Sequence, residues 1–189
     1  MQDLEEVANA LTMAIPISSF VNHRIRYHEK PMKAHEKAFV ANMLASTVYH
    51  TARAVGAPSP VSNTLRALDI ACIHGLTAAV GRAAISDLKA RRMWSMFMLP
   101  VSVASYVTHG GISERNDRPN MRAAVVGCAM LPILTCFKSH AIATTKALFY
   151  GVSAAVVYAQ GTSHPLFHVL LGPFVKNIMK ILRHRSGGA

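Results

Sequence analysis

Five stretches of this chain of 189 residues contain no Asp, Glu, Lys or Arg, and they limit what it can fold into. The longest runs from Ala147 to Val175. Met93 to Ser113 is similar, and 7–23, 38–52 and 123–137 are shorter. Only 15% of the residues are charged, and those charges gather between the runs. A bilayer core takes about 20 mostly apolar residues per helix, fewer where long polar side chains at the ends reach the interface. On that basis seven spans are expected, near 6–23, 37–55, 65–86, 93–110, 121–137, 140–160 and 165–182. They nearly exhaust the chain. The expected fold is therefore an all-α membrane protein, a seven-transmembrane-helix bundle with short loops forming one domain over residues 1–189. A soluble bundle would have to bury more apolar surface than a small domain can hide.

Several spans are rich in Ala, Gly, Ser and Thr, which let membrane helices pack closely. The net charge of +11 would first suggest nucleic acid, but its placement argues against that partner. Arg24, Arg26, Lys30, Lys33 and Lys37 follow the first span, and Lys89, Arg91 and Arg92 follow the third. Lys176, Lys180, Arg183 and Arg185 fall in and after the seventh. Basic loops alternating in this way follow the positive-inside rule, placing the N-terminus outside or lumenal and the C-terminus cytosolic. Arg115, Arg118 and Arg122 run against that pattern. The basic loops are expected to face anionic lipid headgroups.

No cleavable signal is expected, because the first residues are acidic. Cys72, Cys128 and Cys136 lack CxxC spacing and read as buried thiols, neither disulfides nor a zinc site. GAPSPVSN (56–63) and GGISERNDRPN (110–120) read as turns or loops. GTSHP (161–165) sets Pro165 in the first turn of the last helix, where its missing N–H does no harm. Pro16, Pro100 and Pro132 fall inside spans and are expected to kink them.

Polar groups inside spans are costly, so each is a functional candidate. Ser46 and His50 lie four apart near the end of span two, Asp69 lies near the start of span three, and His164 and His168 lie four apart at the start of span seven. Residues four apart share a helix face. One His pair arises easily by chance. More telling is that the end of an even span and the starts of odd spans lie on one membrane side, so all five residues share one leaflet. Three neutral imidazoles with an open fourth position are the ligand set of a catalytic zinc. Zinc lowers the pKa of its water and polarises a carbonyl. Asp69 would take that water's proton or orient an imidazole, and Ser46 would hydrogen-bond the water or a developing oxyanion. The alternative is a set of interhelical hydrogen bonds, each worth about 1 kcal/mol.

These residues also carry a family pattern. SxxxH in the second span, Asp in the third and HxxxH in the last resemble the CREST superfamily of seven-helix membrane proteins. That superfamily takes in alkaline ceramidases, progestin and adiponectin receptors and hemolysin III-like proteins. Ser46-Thr47-Val48-Tyr49-His50 is similar to the first motif and Leu68-Asp69 to the second. Ser163-His164-Pro165-Leu166-Phe167-His168 is similar to the receptor and hemolysin version of the third. The resemblance implies zinc held by His50, His164 and His168, with Ser46 and Asp69 beside it. It further implies hydrolysis of a lipid amide or ester, ceramidase-like, in the membrane. The other outcome it implies is a receptor-like or structural protein that keeps the zinc with little or no turnover. One departure is plain: MQDLEEVAN lacks the tryptophan- and acid-rich calcium motif of ceramidases. Asp3, Glu5 and Glu6 read instead as a solvated acidic terminus.

His74 points roughly 140° away from Asp69 on a helix and reads as a packed or interhelical histidine. His109 reads as a loop-edge residue. His23, His28 and His35 read as a solvated basic face, with His140 and His184 similar. Arg82 and Lys146 are expected to snorkel, and MWSMFML (93–99) to face lipid or pack.

Overall fold

A computed structural model describes residues 2–27, 31–108, 118–161 and 163–183, and among them it is helical with no strand. The helices are α1 (Gln2–Thr12), α2 (Ala14–Tyr27), α3 (Ala34–Ala54), α4 (Ser59–Ala84), α5 (Leu88–Thr108), α6 (Pro119–Met130), α7 (Phe137–Gln160) and α8 (His164–Arg183). A 3-10 turn, Leu131–Cys136, joins α6 to α7.

Two of the expected prolines shape these boundaries. The stretch expected as one span over 6–23 breaks at Met13. Pro16 has no N–H to give the Thr12 carbonyl and its ring crowds that turn, so the helix ends one turn before it. Pro132 likewise cannot serve the Cys128 carbonyl. The Leu131 N–H takes that carbonyl instead, three residues back, and the helix tightens to 3-10. Pro100 is carried inside α5.

Side-chain contacts fix the helix directions. The Arg122 Nη2 donates to the Tyr158 hydroxyl at 2.7 Å, joining the start of α6 to the end of α7. The chain therefore folds back between them, turning at His140, whose backbone leaves the helical region (φ −141°, ψ 44°). The first rod, α1 with α2, runs parallel to α8: Thr12 meets His168, and Tyr27 meets Arg183. It runs antiparallel to α3, with Phe20 stacked on Phe39 at 5.2 Å and Arg24 paired with Glu36 at 2.7 Å. Glu36 also accepts the Lys33 N–H at 2.7 Å, which fixes the start of α3.

Two apolar cores lie beyond the polar end. Val80, Ala84, Ile133, Ala143, Ile178 and Leu182 pack in one. Met13, Phe20, Phe39, Met43, Val175 and Met179 pack in the other. At Gly81 the α4 backbone lies against α6: a Cβ there would meet the Ala129 carbonyl oxygen. At Gly172 the obstacle is the Ile15 Cγ2 at 2.6 Å, a side-chain tip that can swing aside. We expect Gly81→Ala to cost about 1–3 kcal/mol and Gly172→Ala clearly less, because overpacking against backbone has no outlet. Thermal unfolding of the two purified variants checks the ranking, and equal midpoints would contradict it.

The outer faces are apolar. Leu44, Met96, Phe97, Leu99, Ile142 and Phe149 are all exposed. Two helical stretches, Pro119–Gln160 and His164–Arg183, are long and apolar enough to cross a membrane. Only 22% of the most apolar part of the first is buried, unlike the core helix of a soluble protein. The other expected spans reach no such run among the described residues. Arg53, Arg66, Asp69 and Arg82 interrupt α3 and α4, and their many Ala, Gly, Ser and Thr residues lower the mean hydropathy.

Three expectations about single residues are corrected. His23 and His35 are buried rather than solvated. Of the three cysteines only Cys136 is buried; Cys72 is half-buried and Cys128 exposed. Glu6 is no free acid, as described next. His28, His109, Arg115 and His184 lie outside the described residues.

Candidate metal centre

The last turn of α7 and the first of α8 are built by GTSHP. Gly161 adopts φ 62°, a left-handed conformation that suits glycine, and closes α7. The Ser163 hydroxyl accepts the Leu166 N–H at 3.3 Å as an N-cap, and Pro165 follows in the first turn. This sets His164 and His168 one turn apart on α8. His50 joins them from the last part of α3. The three rings pack in a triangle, with centroids 4.8 Å apart for His50 and His164, 5.3 Å for His50 and His168, and 4.8 Å for His164 and His168. One nitrogen from each lies within 4.8 Å of the others. The three histidines picked from spacing therefore do converge, close enough to hold a metal ion.

Hydrogen bonds select which nitrogens are free. The His50 Nδ1 meets a Glu6 carboxylate oxygen at 2.8 Å, and its buried Nε2 has no partner among the described residues. The His168 Nδ1 lies 3.1 Å from both the Asn9 carbonyl and the Thr12 hydroxyl. With each Nδ1–H donated, each Nε2 keeps its lone pair for a metal. A carboxylate or carbonyl behind a ligand imidazole is the usual second layer of such sites. Zinc–nitrogen bonds of about 2.0–2.1 Å draw tetrahedral ligand atoms to about 3.4 Å apart, so the rings would close inward on binding. The donor set, the orphaned buried nitrogen and the acid behind it all fit zinc.

The supports come from α1, which sequence reasoning missed. Glu6 bridges His50 and Arg53, its second oxygen 2.7 Å from the Arg53 Nε, and Asn9 donates to it at 3.2 Å. The signal was present as Glu6, Asn9 and Thr12, spaced by three along one face. It was misread because a polar face is ordinarily the wet one. Here the helix is inverted: Asn9 is 2% exposed, whereas Leu4 is 75% and Leu11 70% exposed. Glu6 is in this respect part of the site, whereas Glu5 is exposed as expected.

Ser46 and Asp69 are both buried, and the Ser46 hydroxyl lies near the Asp69 carboxyl. The Asp69 Oδ1 has no partner among the described residues. Both line a cavity of about 720 Å³, together with His164 and His168. The cavity is polar at one end and largely apolar beyond. Along α4 its wall passes from Arg66 and Asp69 to Ile73 and Leu76, along α6 from Arg122 to Val126 and Met130, and along α8 from His168 to Leu171 and Phe174. His74 and Thr77 also line it, and His74 is buried as expected of a packed histidine. Its volume suits a small-molecule site. Several lining residues are themselves exposed, Cys128 on α6, Leu131 in the 3-10 turn and Val152 on α7, so the cavity opens sideways there. No family model matches the chain and no curated protein shows significant similarity to it. The likeness to the CREST superfamily accordingly rests on the motif residues alone.

Proposed function

We propose that this chain is a multi-pass membrane protein, a seven-span bundle, that uses zinc at His50, His164 and His168 to hydrolyse a lipid amide or ester, ceramidase-like in its chemistry. The observation that carries the reading is the histidine triangle, two of whose members, His164 and His168, line with Asp69 a cavity that is polar at one end and apolar at the other. Membrane embedding is supported by the exposed Leu, Phe and Met on the outer faces and by the inverted α1, an arrangement that costs little only when the surroundings are apolar.

Zinc, when bound, would lower the pKa of a water and polarise the scissile carbonyl. The protein's own groups do the rest. Asp69, held by Ser46, is the base that takes a proton from the attacking water and returns it to the leaving amine or alkoxide. Ser46, which lines the cavity with it, orients the carboxyl. Glu6, Asn9 and Thr12 hold His50 and His168 in the tautomer that leaves Nε2 open. The apolar wall, Leu171 and Phe174 included, takes the acyl chain and keeps bulk water away from the linkage.

The test is turnover of a broad lipid panel, fluorescent ceramide among it, by zinc-loaded protein. We expect release of fatty acid from at least one amide or ester. Zinc bound with no turnover across the panel would replace this reading with the receptor-like or structural one.

A further inference from the structure

One helix lines the cavity with polar side chains alone. From α3 come Asn42, Ser46 and Tyr49, spaced by four and three so that they share a face. Leu44 and Val48 of the same helix are exposed on the outside of the bundle. Two of the three lining groups are accounted for. Ser46 lies near the Asp69 carboxyl, and Tyr49 packs on His50 at 4.8 Å while its hydroxyl accepts from Arg53 at 3.4 Å. Asn42 is not. Its Oδ1 is buried and has no hydrogen-bond partner among the described residues. An unpaired buried polar group is costly, and inside an apolar bundle it is a functional candidate by default.

The depth of Asn42 is what gives it meaning. It sits four residues before Ser46, on the side away from His50, and so about 6 Å further into the cavity. There the wall turns apolar, with Ile73 and Leu76 on α4 and Leu171 on α8. The Thr77 hydroxyl, also on the α4 wall, is taken up by its own helix, donating to the Ile73 and His74 carbonyls at 3.0 and 3.1 Å. A plain acyl chain passing this point leaves the amide unpaired. A hydroxyl on the chain can donate to the Asn42 oxygen or accept from its nitrogen.

From this we infer that the cavity selects lipids whose acyl chain carries a hydroxyl near the linkage, read by Asn42, over lipids with a plain chain. The inference rests on the lipid-site reading above and narrows its substrate class. With the carbonyl level with Ser46 and Asp69, about 6 Å of all-trans chain spans roughly four or five carbons. The hydroxyl therefore belongs within about five carbons of the carbonyl.

The test is equilibrium displacement of a fluorescent acyl probe from the full chain in detergent micelles, read without turnover. Competitors are palmitate and palmitate carrying one hydroxyl on the third, the fifth or the terminal carbon. The terminal-hydroxyl acid matches the polarity of the other two and isolates position. We expect the better of the two near-hydroxyl acids to compete about 3- to 10-fold better than the terminal one, the yield of one hydrogen bond. Asn42→Leu, close in volume and without polar atoms, should abolish that advantage and leave palmitate binding unchanged. Asn42→Ala should abolish it too, so one folded variant is enough to decide. Equal binding of the near- and terminal-hydroxyl acids by the parent would overturn the inference, leaving Asn42 to a structural water. An advantage that survives in a folded variant would overturn it as well, handing the hydroxyl to another wall group such as His74. A protein that hydrolyses nothing can still pass this test, and an active hydrolase can fail it, so the two readings fall separately.

Discussion

His50→Ala is expected to leave the purified protein with less than about a tenth of an equivalent of zinc, against about one equivalent in the parent, because two histidines on one helix do not complete a three-imidazole set. Glu6→Gln gives the graded case. It keeps the shape beside the His50 Nδ1 but removes the charge that orients the ring and raises its basicity. We expect zinc affinity to fall about 10- to 100-fold while stoichiometry at saturating metal is retained. Metal analysis after dialysis reads the first and a chelator competition series reads the second. Unchanged zinc in His50→Ala would end the metal assignment. Unchanged affinity in Glu6→Gln would reduce Glu6 to a structural partner of Arg53, with which it also pairs at 2.7 Å.

Asp69→Asn should lower turnover of any lipid the protein hydrolyses by about 10²- to 10⁴-fold, the range for removing a positioned general base. Zinc content should be unaffected, since Asp69 is not among the converging nitrogens. Asparagine keeps the size and one acceptor for the Ser46 hydroxyl, so the fold should stand. Ser46→Ala is expected to act through Asp69 and to lose less. A pH–rate profile separates the roles: loss of the base removes the ascending limb, while a purely structural defect lowers the whole curve. If Asp69→Asn retains turnover within about threefold of the parent, the base is elsewhere.

The histidine triangle was legible because helix counting depends only on charge-free runs and their order. Parity of the expected spans sets Ser46, His50, Asp69, His164 and His168 on one side; of these the three histidines converge, and Ser46 and Asp69 line one cavity with His164 and His168. The break at Met13 was half legible. Pro16 announced a kink, but a kink and a full stop differ by whether neighbours re-satisfy the freed carbonyl, which sequence does not state. Glu6 was not legible, because its role depends on which way α1 faces. Amphipathic spacing defines two faces and leaves open which is inside; that choice belongs to the solvent. His23 and His35 failed for a related reason. Their segments are rich in Lys and Arg, yet the close of α2 on α3, pinned by Arg24 and Glu36, buries them.

The parallel contact of α1 with α8 has a consequence for biogenesis. The groups that hold the His168 Nδ1 are Asn9 and Thr12, and Thr12 lies 156 residues before it in the chain. At about 5–20 residues per second a ribosome needs roughly 8 to 30 s to make that interval. Once α3 is made Glu6 and His50 can already meet, since α1 and α3 are neighbours, whereas the other two ligands do not yet exist. The first helix must therefore wait with Asn9 and Thr12 unmatched by His168 while six further helices are made. Metal loading waits for α8, and a nascent chain stalled before it would have a docking face for that helix but no centre to load.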